Sequence, residues 1–268
     1  MIYGMYLSTM GALAQSHRHA TISNNLANAN TNGFKPDWSL FKEVPVENEF
    51  HPERSMHWDR ILMNTGGGVW NETTFTDFQP GPIDYTGNVF DIALHDEPNS
   101  GTVSFFMVRP DAEGAEMYYS RDGHFVPDQD GALRNMSGDL VLDPDGAPIN
   151  VAAPENSVIA INEYGQIIAN LPAGEGNAIL GQIGVMRTAD KDLMVKRGEN
   201  RLVAEGAVME NYQAGIMSGY QEKSAANAIE EMTNMIEASR VYEMNMKFVT
   251  MQDEQLGNAI SRIANTRS

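Results

Sequence analysis

Apolar residues recur at alternating spacings of four and three along residues 224–264, a heptad pattern that predicts a long amphipathic helix. Asn227, with Glu230 three residues later, resembles the capping arrangement that begins a helix. At about 1.5 Å per residue the helix is about 60 Å long, so it needs packing partners along its length. The seam, interrupted by Ser239 and Asp253, consists of Ala228, Met232, Met235, Ser239, Tyr242, Met246, Val249, Asp253, Leu256, Ile260 and Ile263.

A second helix is predicted at the start of the chain, over residues 2–28. Its apolar positions recur at spacings of three and four, at Tyr3, Tyr6, Met10 and Leu13. The segment from Asn30 to Gly33 then ends the helix, because Asn and Gly tolerate the left-handed backbone of a C-cap. The two terminal helices are natural partners for each other, and neighbouring subunits come next. A long helix packed on its own domain is the alternative.

The middle of the chain lacks helical periodicity. Residues 36–75 are punctuated by Pro and Gly, which predicts an extended, loop-rich linker with a strand or two. Residues 76–213 contain short apolar runs separated by turn signals such as Asp130-Gly131 and Asp145-Gly146. Asp-Gly between short strands is a strong hairpin signal, because the turn requires positive φ. We therefore expect an antiparallel sandwich or barrel in this segment.

Together these patterns predict an α+β fold. Its N- and C-terminal helices pair as a coiled-coil inner domain, and its middle domain is β-rich and antiparallel. The predicted division has four parts: an N-terminal helix over 1–35, an extended linker over 36–75, a β-rich outer domain over 76–213 and a C-terminal helix over 214–268.

Composition narrows the possible functions. The chain has 268 residues and no cysteine, which excludes disulfide scaffolds, zinc–thiolate sites and thiol catalysis. Its net charge of -18 opposes binding to nucleic acid or to anionic membranes. Both ends of the chain are nearly neutral, so we expect ends that pack together and a middle that stays solvated. No apolar run reaches the roughly 18 residues of a transmembrane helix, and residues 1–14 lack the Lys or Arg of a signal peptide.

No motif points to catalysis or to a bound cofactor. Asp128-x-Asp130-Gly131 and Asp143-x-Asp145-Gly146 faintly resemble calcium loops but lack the spaced carboxylates of an EF-hand, so hairpin turns explain them better. His17 and His19 lie two apart on a predicted helix and face different ways. We therefore expect no catalytic residue, no cofactor and no metal site, and a protein that is not an enzyme.

The segment from Ser23 to Lys35 is long and unusually rich in Asn, and it resembles the signature of the flagellar rod and hook protein family. Further segments that resemble the family follow in the expected order, at Tyr85-Thr86-Gly87-Asn88, Tyr119-Ser120-Arg121-Asp122-Gly123, Glu231-Met232-Thr233-Asn234 and Arg240-Val241-Tyr242-Glu243. The resemblance covers both ends and most of the middle. It departs from the family between His95 and Gly101, where relatives have a glycine-flanked turn.

The resemblance implies a structural subunit of the flagellar rod. Members of the family have an inner layer of terminal helices and an outer β domain, and they stack helically around a central export channel. They leave the cell through the flagellar type III export apparatus without a cleaved signal. The implied partners are copies of the chain, other proximal and distal rod proteins, the export apparatus and the surrounding basal-body rings, and the implied location is the periplasmic rod of the basal body.

Within the family, the proximal rod branch is favoured. The segments Val44-Pro45-Val46-Glu47 and Glu243-Met244-Asn245-Met246-Lys247 look more like that branch than like the distal rod or hook branches. The segment from Ser23 to Lys35 is nearer the distal rod form, which keeps the distal rod as the alternative. A secreted β-rich enzyme or binding protein with a cleaved N-terminus ranks next, and a cytoplasmic coiled-coil adaptor ranks last.

Two groups of residues form the candidate assembly interface. The first helix and the segment that ends and anchors it contribute Tyr6, Met10, Leu13, Asn24, Asn25, Leu26, Asn28, Asn32, Gly33 and Phe34. The terminal helix contributes Met232, Met235, Ile236, Tyr242, Met246, Val249, Leu256 and Ile260.

Overall fold

The chain divides into two compact units, seen in a computed structural model that describes residues 2–44, 67–96, 100–112, 114–152, 157–170, 177–213 and 215–265. The helical unit comprises Met1–Ala27, Asp37–Asp77 and Asn227–Ser268. The β unit comprises Asn28–Pro36 and Phe78–Ala226. The first and last helices therefore belong to one unit, although they lie at opposite ends of the sequence.

The helical unit is built on two helices, α1 (Ile2–Ala27) and α2 (Ala228–Asn265). Asn227 caps α2, because its Oδ1 accepts a hydrogen bond from the Ile229 N–H at 3.1 Å and satisfies one of the amides that a helix start leaves free. Acidic residues in the first turn of α2 and a basic residue in its last turn complement the helix dipole. Turns follow α1 directly after Ala27, as its Asn-rich ending predicted.

Two strands, β1 (Asp37–Glu43) and β2 (Val69–Thr76), form an antiparallel pair in the helical unit. The Ser39 hydroxyl lies 2.8 Å from the Thr21 hydroxyl of α1. One face of the strand pair therefore lies against α1, and the side chains that alternate with Ser39 lie on the other face.

The β unit consists of short strands that all pair antiparallel within the described ranges. They are β3 (Ile83–Tyr85), β4 (Ile92–Leu94), β5 (Val103–Arg109), β6 (Tyr118–Ser120), β7 (Phe125–Pro127), β8 (Leu133–Asn135), β9 (Leu140–Val141), β10 (Val158–Ile161), β11 (Gln166–Asn170), β12 (Asn177–Gln182), β13 (Val185–Thr188), β14 (Met194–Lys196), β15 (Leu202–Ala204), β16 (Glu210–Asn211), β17 (Ile216–Ser218) and β18 (Tyr220–Glu222). A 3-10 turn, Lys191–Leu193, precedes β14.

Strand β5 is the centre of the largest sheet, which runs β14-β15-β6-β5-β9-β8-β7, with β13 also paired to β5. Successive residues of a strand point to opposite faces, and Phe105 and Phe106 accordingly join different apolar clusters. Phe106 meets Phe125 edge-on at 5.1 Å, and Phe105 meets Phe78 edge-on at 5.8 Å. The core of the β unit therefore lies on both sides of β5.

A recurring turn closes several hairpins of the β unit. The Asp128 Oδ1 accepts backbone N–H bonds from Asp130 and Ala132 at 2.8 and 3.1 Å, and Gly131 supplies the positive φ. Asn135, Asp143 and Asn162 form the same turn. In each, the side-chain Oδ1 accepts the backbone N–H four residues further on, and the glycine three residues further on has positive φ. Both Asp-Gly segments are therefore hairpin turns, as predicted, since their carboxylate oxygens already bind backbone amides.

The predicted α+β fold class is confirmed, because the terminal helices pack together and the middle is antiparallel β structure. Strands β17 and β18 lie inside 214–268, which the sequence assigned to the terminal helix, and they pair with β4 and β3. Positive-φ glycines at Gly215 and Gly219 divide that stretch into short extended pieces. Residues 45–66 of the predicted linker lie outside the described residues, and the four-part division stays a prediction.

Candidate functional site

α1 and α2 approach each other closely at glycine positions. A Cβ atom built on Gly4 would lie 2.9 Å from the Gln252 Nε2. One built on Gly11 would lie 3.1 Å from the Asn245 Oδ1. A step of seven residues forward along α1 is thus matched by seven residues backward along α2, so the helices run antiparallel with a heptad register.

Two further steps of seven residues continue the same register. The first step places Arg18 opposite Ala238, which is completely buried. The second step places Asn25 opposite Glu231, and the Asn25 Nδ2 donates to the Glu231 Oε1 at 3.0 Å. The register therefore holds from Gly4 to Asn25.

The row of α2 that faces α1, here called the inner row, is small and polar. It consists of Glu231, Ala238, Asn245 and Gln252. Glycine removes side-chain bulk from α1 at Gly4 and Gly11, so the backbones come close. The facing positions therefore hold small or flexible polar side chains instead of large apolar ones.

Asn25 joins three elements of the helical unit. Its Nδ2 donates to the Asp37 carbonyl oxygen at 2.8 Å and its Oδ1 accepts the Asp37 N–H at 2.9 Å, while the same Nδ2 reaches Glu231. Asn25 is 2% exposed and Glu231 is 5% exposed. Burial raises the pKa of Glu231, and the hydrogen bond from Asn25 opposes that shift. We call Asn25, the Asp37 backbone and Glu231 the polar node.

The predicted seam lies next to the inner row on α2. Met232 and Met246 each follow an inner-row residue by one position, and both are exposed. The exposed side chains among the predicted interface residues of α2, here called the outer stripe, are Met232, Ile236, Tyr242, Met246 and Ile260, at 40–66% exposure. The half-buried seam side chains are Met235, Val249 and Leu256. A large part of the apolar surface of α2 is therefore left uncovered by α1.

The predicted residues of α1 divide in the same way. Tyr6 and Leu13 are exposed, and each follows a glycine of the register by two positions, which is on the side of the helix away from α2. Met10 and Leu26 are half-buried, and Asn24 is exposed. Asn25 is the predicted residue of α1 that makes the buried polar contacts.

The second half of the signature segment belongs to the β unit. The Asn32 carbonyl accepts a hydrogen bond from the Asn200 Nδ2 at 2.8 Å. Gly33 has a φ of 65°, and a Cβ there would lie 2.4 Å from the backbone carbonyl of Arg121. Only glycine therefore fits at this position.

Two more predicted residues hold this segment. The Asn28 Oδ1 accepts a hydrogen bond from the Thr31 hydroxyl at 3.2 Å. The Phe34 ring is buried, and the Lys196 Nζ lies 4.5 Å from its centroid, which is a cation–π contact.

A buried network of ion pairs begins at Lys35, the residue after Phe34. This network was not predicted from the sequence. The Lys35 Nζ lies 2.6 Å from the Glu222 Oε1, and the Glu222 Oε2 lies 3.3 Å from the Arg121 guanidinium. Arg121 also pairs with Asp96. Burial lowers the pKa of Lys35, and the charge of Glu222 opposes that shift. No local pattern marks these residues, because each partner comes from a distant part of the chain.

The described ranges contain neither a cluster of metal-binding side chains nor a helix that could span a membrane. Within them, no group of three or more His, Asp or Glu side chains is placed to hold a metal ion. No helix in those ranges combines the length and the apolar character that crossing a bilayer requires.

Three family models match the chain. They are described as flagella basal body rod protein, over residues 5–35, flagellar hook protein FlgE/F/G D1 domain, over 102–169, and flagellar basal body rod FlgEFG protein C-terminal, over 217–262. The first of these models covers most of α1, and the third covers most of α2. The fold and the matches together define a structural, non-enzymatic protein of the flagellar axis.

Full-length relatives give the family. The chain is 33% identical to the flagellar basal-body rod protein FlgF of Salmonella typhimurium and 30% identical to FlgF of Escherichia coli, over 94% of this chain and 95% of each relative. It is 31% identical to the rod protein FlgG of Buchnera aphidicola from Acyrthosiphon pisum, over 96% of this chain and 98% of the relative. The chain belongs to the flagellar basal-body rod protein family and is a structural subunit of the basal body.

Proposed function

We propose that the chain polymerises helically through its helical unit to build the rod, the drive shaft around the flagellar export channel. The outer stripe carries this proposal. Large apolar side chains exposed along one helix mark an interaction surface, and α1 of the same chain leaves these side chains uncovered. Neighbouring copies cover them in the rod.

A second exposed surface of the helical unit supports the proposal. Trp38, Leu40, Trp70 and Phe75 on β1 and β2 are exposed. Trp38 is the register partner of Phe75, so these two aromatic side chains share a face. Tryptophan is enriched among the residues that dominate binding energy at interfaces. The strand pair therefore offers a contact surface distinct from the outer stripe.

Two different surfaces on one subunit suit a helical polymer. When one surface of a subunit binds a different surface of the next copy, the contact repeats without closing and generates a filament. Torque is then carried by many interlocked contacts. No catalytic group is needed for that role.

We place the chain in the proximal rod, with the distal rod as the alternative. The identities to two FlgF proteins, at 33% and 30%, support this position, and the 31% identity to a FlgG protein keeps the alternative. The proposed partners are copies of the chain, the other proximal and distal rod proteins, the export apparatus and the surrounding rings. The proposed location is the periplasmic part of the rod, reached by export without a cleaved signal.

Electron microscopy of basal bodies from a strain that lacks the gene tests the position. Rods that stop near the inner membrane identify a proximal subunit. Rods that begin normally and fail further out identify a distal subunit. Complete basal bodies with normal swimming would contradict a role in the rod.

A further inference from the structure

The polar node buries a carboxylate and an amide in the helix interface, at 5% and 2% exposure. Such groups lower stability unless their hydrogen bonds are satisfied. The Asn25 amide makes three hydrogen bonds, two to the Asp37 backbone and one to Glu231. In paired helices, the best-attested use of a buried polar pair is to fix the register.

We propose that Asn25 and Glu231 select the register in which α1 and α2 pair. The glycine contacts of the interface discriminate poorly between registers. Gly4 and Gly11 are identical and one heptad apart, and the inner-row residues that face them, Gln252 and Asn245, are both amides. A shift of one helix by seven residues therefore keeps one glycine–amide contact and places the other glycine opposite an alanine, Ala238 or Ala259.

A shift in one direction creates a competing pairing. It would place Gly11 opposite Ala238 and Arg18 opposite Glu231, where an ion pair could form. Asn25 would then lie opposite position 224, before the start of α2 at Ala228. Its bond to Glu231 would be lost, so the polar node disfavours this register although Arg18 would lie opposite Glu231.

A shift in the other direction creates no compensation. It would place Asn25 opposite Ala238, and Glu231 would lie beyond the end of α1 at Ala27. Glu231 would lose its bond from Asn25, and Asn25 would keep only its two bonds to the Asp37 backbone. An unsatisfied buried polar group costs about 1–3 kcal/mol, so this register is disfavoured as well.

Introduced cysteine pairs report the register directly, because the full chain has no cysteine of its own. Gly11→Cys with Asn245→Cys reports the observed register. Gly4→Cys with Asn245→Cys and Gly11→Cys with Gln252→Cys report the two shifts. In the observed register the residues of each shifted pair are about 10 Å apart along the helix axis, too far for a disulfide.

The test compares three backgrounds under mild oxidation of dilute full-length chain, with intramolecular disulfides measured by peptide mass spectrometry. The backgrounds are the natural sequence, the double variant Asn25→Leu/Glu231→Leu and the control Asn24→Leu/Glu230→Leu. The control changes the same residue types one position earlier on each helix, where both side chains are exposed.

We expect disulfides in the observed register for the natural sequence and the control. In the Asn25→Leu/Glu231→Leu variant, the yield of the shifted pairs rises about tenfold, which corresponds to about 1.4 kcal/mol of lost discrimination. Disulfides confined to the observed register in that variant would overturn the proposal. Loss of all three disulfides would overturn it too, because the pair would then hold the helices together without selecting their register.

The single variant Glu231→Gln separates the hydrogen bond from the charge. The glutamine side chain keeps a carbonyl oxygen that accepts from the Asn25 amide. It therefore keeps the observed register if the bond selects it. Shifted disulfides in Glu231→Gln would contradict selection by this bond.

Discussion

Lys35 and Glu222 form an ion pair at 2.6 Å with both side chains almost completely shielded from solvent. Glu222 also accepts the Gly81 N–H at 2.9 Å and pairs with Arg121. Lys35 ends the signature segment and Glu222 ends β18, so the pair ties the segment that follows α1 to the last strand of the β unit. A buried charge that loses its partner is costly, because the low-dielectric interior does not solvate it.

The variant Glu222→Ala should therefore destabilise the β unit strongly. It leaves Lys35 and Arg121 buried beside each other without this carboxylate, and we expect the free energy of unfolding to fall by about 3–5 kcal/mol. Urea unfolding followed by circular dichroism measures the change. The control Glu72→Ala removes an exposed ion pair with Lys42 at 3.0 Å and should cost at most about 1 kcal/mol. Equal losses in the two variants would refute a structural role for the buried pair.

Gly33→Ala tests the close backbone approach in the signature segment. The new Cβ would meet the Arg121 backbone, which cannot move aside as a flexible side chain can. Gly138→Ala is the matched control, since Gly138 also has positive φ but has nothing within 4 Å of its built Cβ. We expect Gly33→Ala to lower the unfolding free energy by about 1–3 kcal/mol more than the control. A thermal melt in which the two variants coincide would argue against the clash.

Glu231→Gln tests the pH dependence of the polar node. Burial raises the folded pKa of Glu231 above its unfolded value of 4.5, helped by Glu230 and opposed by Asn25 and Arg18, and the Asp37 backbone completes the node. The stability that the protonated carboxyl contributes is thus fully present below pH 4.5 and is lost as the pH rises through the folded pKa.

A glutamine at position 231 does not ionise, so the variant does not lose stability in this way as the pH rises. We expect the variant to gain stability relative to the natural sequence as the pH rises from about 4 to about 7, measured by urea unfolding at both ends of the range. Glu237→Gln, at an exposed position of α2, serves as the control. A stability difference for Glu231→Gln that does not vary with pH would show that the carboxyl titrates alike in the folded and unfolded chains.

Met246→Asp tests the outer stripe. A carboxylate there would be buried by a neighbouring copy without a partner, so assembly should fail while the β unit stays folded. Swimming of a complemented deletion strain reports assembly, and circular dichroism of the purified chain reports folding. Gln255→Asp adds the same charge at an exposed position nine residues further on, on the opposite side of α2, and should swim. Normal swimming of the Met246→Asp strain would remove the outer stripe from the interface.

The helices could be predicted from the sequence because their signals are local. The heptad pattern and the cap at Asn227 predicted a helix over 224–264, and α2 spans Ala228–Asn265. The Asp-Gly turns were predictable for the same reason, since each turn satisfies its own backbone amides within five residues, from Asp128 to Ala132.

The face of α2 that packs on α1 could not be predicted from apolarity. The apolar periodicity selected Met232 and Met246, but the residues in contact with α1 include Glu231 and Asn245. Where α2 approaches the glycines of α1, small or polar side chains fit better than large apolar ones. The periodicity of apolar residues does not reveal this preference. The buried pairing of Lys35 with Glu222 was missed for a different reason, because only the tertiary fold brings these two charges together.

The polar node also determines when the helical unit can form, since its two side chains are separated by 206 residues of sequence. Closing a loop of that length loses more chain entropy than closing the short hairpins of the β unit, so we expect the hairpins to form first. During synthesis α1 emerges before α2 and has no helix partner until α2 has followed. Helix pairing is thus expected after the hairpins have formed, and it waits for the synthesis of α2.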